Sequence, residues 1–288
     1  MNGFICVDKP RGPTSYGIVA RIKRQLKIRR AGHCGTLDPN ATGLLIIAIG
    51  KATRLIPWLK LEPKMYEFDI TFGSETDTLD SEGPVIKTGG RIPEKSEIDS
   101  VVPFFTGTIP QVPPRYSAIK IRGTRAYKLA REGKEFTPPE RSIEISSLSL
   151  KSFSSTVGKA RLEVACSAGT YIRALARDIA AKLGTAGYAS HVRRTALGGY
   201  TLEKAINPDK CTIENVGSII SIKEMFSHCP TTTVTAAQKK ALFNGRDLTL
   251  PVTINDNNPV LALNGEGMFI ALLSRQARNR FHPEMILN

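Results

Sequence analysis

The feature that most constrains this chain is the segment Gly32-His33-Cys34-Gly35-Thr36-Leu37-Asp38-Pro39-Asn40-Ala41-Thr42-Gly43, together with the run Leu44-Leu45-Ile46-Ile47-Ala48-Ile49 behind it. A strand points successive side chains to opposite faces, so an apolar run without alternation reads as a strand buried on both sides. The segment before it cannot continue a regular element. Its glycines admit positive φ, and Pro39 fixes φ and lacks a donor, so the chain is expected to form a shaped loop. Asp38 therefore sits at the rim of a core, where an acid invites a question about chemistry.

Charge sharpens that question. The 288 residues hold 40 Lys and Arg against 26 Asp and Glu, a formal net charge of +14, which suits a polyanionic partner such as nucleic acid or an anionic surface. The excess is concentrated around the loop. Residues 1–60 carry Lys9, Arg11, Arg21, Lys23, Arg24, Lys27, Arg29, Arg30, Lys51, Arg54 and Lys60 against only Asp8 and Asp38. The first four basic residues after Pro13 fall on a helix whose apolar stripe is Ile18, Val19, Ile22 and Leu26; Thr14 or Ser15 is its expected cap. That basic face is either solvated or turned to phosphates.

Further along, Lys64 to Phe72 alternates with period two, placing Tyr66, Phe68, Ile70 and Phe72 on one face of a half-buried strand. Tyr66 is either core or a catalytic ring at the strand's start. A second basic segment, Pro113 to Arg141, interleaves Arg115, Arg125 and other cations with Tyr116 and Tyr127, a pattern that suits RNA because guanidinium groups hold phosphates while rings stack on bases. A solvated hairpin with a short helix is its alternative reading. Arg141 to Phe153 and Lys159 to Ser167 read as a β-hairpin, leading into a helix capped by Thr170 with Arg173 in its first turn. A cation there is disfavoured by the helix dipole unless an anion meets it, so a negative partner is expected nearby. His191 to Tyr200, with Arg193 and Arg194, reads as another strand. After His228-Cys229-Pro230-Thr231, a short helix and a hairpin around Asn264-Gly265-Glu266-Gly267 imply a small β-rich domain.

Several classes of function are disfavoured. The five cysteines are scattered and form no C-x-x-C pair, and the four histidines have no ligand spacing, so neither a disulfide framework nor a metal site is expected. No apolar run reaches membrane-spanning length and no signal sequence is evident at the N-terminus, which points to a cytoplasmic protein without membrane association. Glycoside hydrolysis needs two carboxylates, and no second loop acid stands out beside Asp38; Asp8 and Asp178 are poor candidates. A single loop acid, an inner-face tyrosine and a helix-start arginine instead suggest a carboxylate nucleophile held by a guanidinium, since a nearby opposite charge favours the ionised form.

The run from Gly32 to Leu45 resembles the catalytic motif of the TruB-type tRNA pseudouridine synthases. Asp8-Lys9-Pro10 with Gly12 and Ser15, Lys64-Met65-Tyr66, Pro113-Pro114-Arg115-Tyr116-Ser117-Ala118, Gly169-Thr170-Tyr171-Ile172-Arg173 and Arg193-Arg194 match that family in order. The resemblance implies an α+β fold: a mixed, largely antiparallel central sheet flanked by helices over residues 1–230, and a PUA-like RNA-binding domain over 231–288. It implies that Asp38 is the catalytic aspartate, that Arg173 pairs with it, and that Tyr66 stacks on the target base and is the candidate for taking the C5 proton. His33, Lys9, Tyr171, Arg115, Tyr116, Arg125 and Arg193 are the implied substrate contacts, and residues 116–140 an RNA clamp. The implied substrate is a flipped-out uridine of the tRNA T-arm, position 55, with no cofactor, guide RNA or obligate protein partner, acted on by a monomer. Ala168 departs from the pattern, because bacterial relatives often carry a basic residue there. The competing readings are a guide-dependent dyskerin-like synthase and a non-catalytic tRNA-binding or folding protein.

Overall fold

The computed structural model describes residues 1–217, 219–250 and 258–287. Its main sheet contains β1 (Gly3–Lys9), β2 (Thr42–Ile49), β3 (Lys64–Phe72), β4 (Gly107–Gln111), β5 (Arg141–Ser154), β6 (Lys159–Cys166) and β7 (Gly187–Leu197). They lie in the order β1-β2-β7-β3-β6-β5-β4, with two short strands, Ala31–His33 and Tyr200–Thr201, added at the sides. Only the β2–β7 pairing on this path is parallel, at Arg193 with Thr42 and Arg194 with Gly43. The sheet is thus mixed and largely antiparallel, as the resemblance implied.

The uninterrupted apolar run of β2 is explained by what covers it. Leu45, Ile47 and Ile49 join one core with helix α1 (Ser15–Gln25) and helix α2 (Ile172–Lys182). Leu44, Ile46 and Ala48 join a second core on the opposite face. That second core takes in Ala52 and Leu55 of the 3-10 helix Gly50–Trp58, and also Leu261, Leu263, Leu272 and Met285. The latter four belong to a five-stranded sheet ordered Thr231–Thr233, Val260–Leu263, Phe269–Ala277, Arg280–Ile286, Leu248–Thr249.

The helix caps resolve one open expectation and correct another. Thr14, not Ser15, caps α1, its hydroxyl accepting the Gly17 N–H at 2.9 Å. Thr170 does not cap α2. Tyr171 occupies the cap position, and the Gln111 side chain takes its N–H at 2.8 Å while donating to its carbonyl at 3.2 Å. Among the described residues no helix is long and apolar enough to cross a membrane.

Candidate active site

The Asp38 loop is held from below by buried polar side chains, because a loop at a core's edge leaves backbone groups that water cannot reach. Ser15, buried at the start of α1, accepts the Leu37 N–H at 2.8 Å and donates to the Leu37 carbonyl at 2.9 Å. The ammonium of Lys9, at the end of β1, donates to the carbonyls of Pro39 at 3.0 Å and Ala41 at 2.7 Å. Burial pulls Lys9 down to about 8, with the Asp38 carboxylate opposing the shift. Gly43 ends the loop with φ of 103°, and a Cβ there would stand 2.2 Å from the Arg194 carbonyl oxygen. Glycine is required at that crossing because no side chain fits between the strands.

Asp38 itself is half-exposed. Its carboxylate meets the Arg173 guanidinium at 2.8 Å, so the anion expected beside the first turn of α2 is the loop acid. Arg173 is buried, and both its terminal nitrogens are engaged. It donates to the carbonyls of Thr78 at 2.7 Å and Tyr116 at 3.0 Å, and Asp80 lies 3.5 Å away as a second carboxylate. Asp80 is in turn fixed by the Thr78 hydroxyl at 2.7 Å and the Glu82 N–H at 3.0 Å. Sequence reasoning missed Asp80, which comes from the turn-rich stretch between β3 and β4.

These groups open onto a cavity of about 600 Å³, lined among others by Asp38, Tyr66, Tyr116, Tyr171 and Arg173. Its volume suits a nucleoside. Lys64, Tyr127 and Arg131 also border it. Tyr66, at the start of β3, is 7% exposed; burial raises its phenol, and the neighbouring Arg194 works against that shift. Tyr116 donates its hydroxyl to Asp77 at 2.8 Å. Tyr171 carries the Arg141 guanidinium over its ring, 5.9 Å from the centroid.

The other residues singled out from sequence do not line this cavity. Lys9 is fully buried beneath the loop and turned to backbone carbonyls, a support and not a surface for substrate. Arg193 is paired with Asp8 through both terminal nitrogens, at 3.1 and 2.8 Å. Arg115 donates to the Lys134 carbonyl at 2.8 Å and stacks on Phe136, which ties the insertion together internally. Arg125 is exposed and donates to the Ala118 carbonyl. His33, on the short Ala31–His33 strand, is half-buried and its Nδ1 has no hydrogen-bond partner; burial, then Arg194, lowers its basicity.

A mixed sheet with an aspartate–arginine pair at its rim, a buried tyrosine alongside and a basic, ring-lined insertion is an arrangement suited to an enzyme that acts on a nucleotide. The comparisons narrow that class. Residues 23–172, just over half the chain, match the family described as TruB family pseudouridylate synthase (N terminal domain). The chain is 38% identical over 257 residues to tRNA pseudouridine synthase B of Caulobacter sp. (strain K31), covering 87% of this chain and 82% of that protein. It is 42% identical over 236 residues to tRNA pseudouridine synthase B of Bartonella bacilliformis, covering 79% and 72%. In fold it is similar to a chain in the crystal structure of a Cbf5-Nop10-Gar1 complex, with a TM-score of 0.72 and 24% identity over 99% of this chain and 84% of that one. The chain belongs to the TruB family of pseudouridylate synthases.

Proposed function

We propose that this enzyme converts one uridine of the tRNA T-loop, position 55, to pseudouridine, with Asp38 as nucleophile and neither cofactor nor guide RNA. The observation that carries the reading is the 2.8 Å ion pair between Asp38 and buried Arg173 at a nucleoside-sized cavity. The reaction breaks the N1–C1′ bond and forms C5–C1′ within one nucleotide, so it needs no redox partner and no net water. One positioned carboxylate is a sufficient nucleophile. Tyr66 stacks on the flipped uracil, and its phenolate form takes the C5 proton while N1 gains one, so the isomerisation is proton-neutral. Extruding the base costs a few kcal/mol, which stacking and phosphate contacts offset. The basic insertion 116–140 and the 231–288 domain supply those contacts along the T-arm, and the protein acts as a monomer. The tRNA substrate follows from the names of the relatives at 38% and 42% identity.

The test is incubation with an unmodified tRNA transcript followed by chemical mapping of pseudouridine. One modified site in the T-loop, formed without added RNA or protein, is expected. Asp38→Asn should abolish it while leaving tRNA Kd within about tenfold, since the neutral isostere keeps shape but loses the nucleophile. Retained activity in that variant would remove Asp38 from the chemistry, and a requirement for a second RNA would favour a guided enzyme.

A further inference from the structure

Among the described residues Arg194 heads the fully buried side chains by volume, and it is a cation. Taking a guanidinium out of water costs several kcal/mol unless its donors are matched, and an apolar side chain would fill the same space without that cost. Among the described residues no carboxylate pairs with it. Its donors go instead to carbonyls that bracket Asp38: Nε to Leu44 at 2.8 Å, one terminal nitrogen to Thr36 at 3.4 Å, the other to Gly35 at 3.3 Å. The Tyr66 side chain is its neighbour on the same face of the sheet, because Arg194 and Tyr66 are register partners across β7 and β3. One planar group therefore braces the loop that presents the acid from a position beside the tyrosine across the strand pair.

We propose that Arg194 is a positioning residue for the reaction, a buried strut that sets the Tyr66 phenol oxygen against the Asp38 loop so that both meet the uracil in one fixed geometry. This rests on the roles read above for Asp38 and Tyr66. Arginine suits the position because its rigid fork presents donors in several directions at once, whereas a lysine ammonium is a single point on a flexible stem.

A double-mutant cycle on the full chain tests it, with Arg194→Lys, Tyr66→Phe and the pair, reading single-turnover rate and Kd on an unmodified tRNA transcript. Arg194→Lys is expected to lower the rate about tenfold or more with Kd within about threefold, and to lose most of that effect when Tyr66→Phe is already present. An equal loss in both backgrounds overturns the proposal, because it would mean that Arg194 only maintains the loop. Wild-type turnover by Tyr66→Phe also overturns it, by removing the phenol from the reaction. Asp38→Asn, tested separately, reports on the aspartate alone, so the two failures are distinguishable. If Arg194→Lys does not fold, the guanidinium nitrogen resonances of Arg194 are compared between wild type and Tyr66→Phe. A shift on loss of the phenol supports the strut, and identical resonances overturn it.

Discussion

Arg173 carries its charge at the end of a helix where a cation is least favoured, and its neighbours account for the choice. Two carboxylates and two carbonyls surround the guanidinium, so its position is set from several sides before any substrate arrives. Asp80 meets one terminal nitrogen of the guanidinium and Asp38 the other. Asp80→Asn should leave Arg173 paired with Asp38 but less firmly placed, lowering single-turnover rate by about tenfold with little change in KM, the signature of lost transition-state positioning. An unchanged rate would show that Asp38 and the two carbonyls fix the arginine without Asp80. Asp38 and Arg173 were legible in the sequence because each sits at a break in regular structure, a glycine-rich loop and a helix start. Asp80 was not. It lies among Asp77, Thr78 and Glu82, and which of these faces Arg173 depends on Leu79 adopting a φ of 60° with its side chain buried, which no periodicity announces. Arg194 was hidden for another reason: of two adjacent arginines, the exposed-residue expectation favours neither for the core, and the strand pairing decides it, setting Arg194 opposite buried Tyr66 and Arg193 opposite Glu67.

At the scale of elements, the first helix serves the active site more by its end than by its face. Thr14 caps it, which frees Ser15 to point at the loop and satisfy both backbone groups of Leu37. The basic residues Arg21, Lys23 and Arg24 lie off the buried stripe of Ile18, Val19 and Ile22, as the periodicity predicts. Ser15→Ala would strand a buried N–H and a buried carbonyl one residue before Asp38. The expected loss of stability is about 1–3 kcal/mol, seen as a lower urea midpoint at unchanged m-value, with a parallel fall in turnover. A variant of full stability and activity would mean that Lys9 and Arg194 support the loop without Ser15. The elements themselves were largely legible, since hydrophobic period two and period 3.6 mark β3, the hairpin of β5 and β6, and both long helices. Their terminal hydrogen bonds were less so. The cap of α2 comes from Gln111, 60 residues earlier in the chain, and local sequence cannot register a partner that distant.

Across the whole molecule, β1 and β2 serve two cores at once. Ile5, Val7, Leu45 and Ile47 face the helices, while Phe4, Cys6, Leu44 and Ile46 face a cluster shared with the C-terminal sheet. The continuous apolar run that dominates the sequence is therefore the wall between two halves, and the strand carrying it leads directly out of the Asp38 loop. A mainly apolar contact of this kind couples the two sheets in stability. Arg54 adds a hydrogen bond to the Ile286 carbonyl at 2.7 Å. Trp58, the single tryptophan, packs against the shared cluster and reports on it directly. Leu272 is fully buried there, so Leu272→Ala should cost about 2–5 kcal/mol. Its effect should reach the whole chain. In urea, Trp58 fluorescence and far-ultraviolet circular dichroism are expected to change in one coincident transition in the wild type and to shift together to lower denaturant in the variant. If only a minor fraction of the dichroism moved with the substitution while the remainder kept its midpoint, the C-terminal sheet would be an independently folding unit and the shared core would not couple it to the active site.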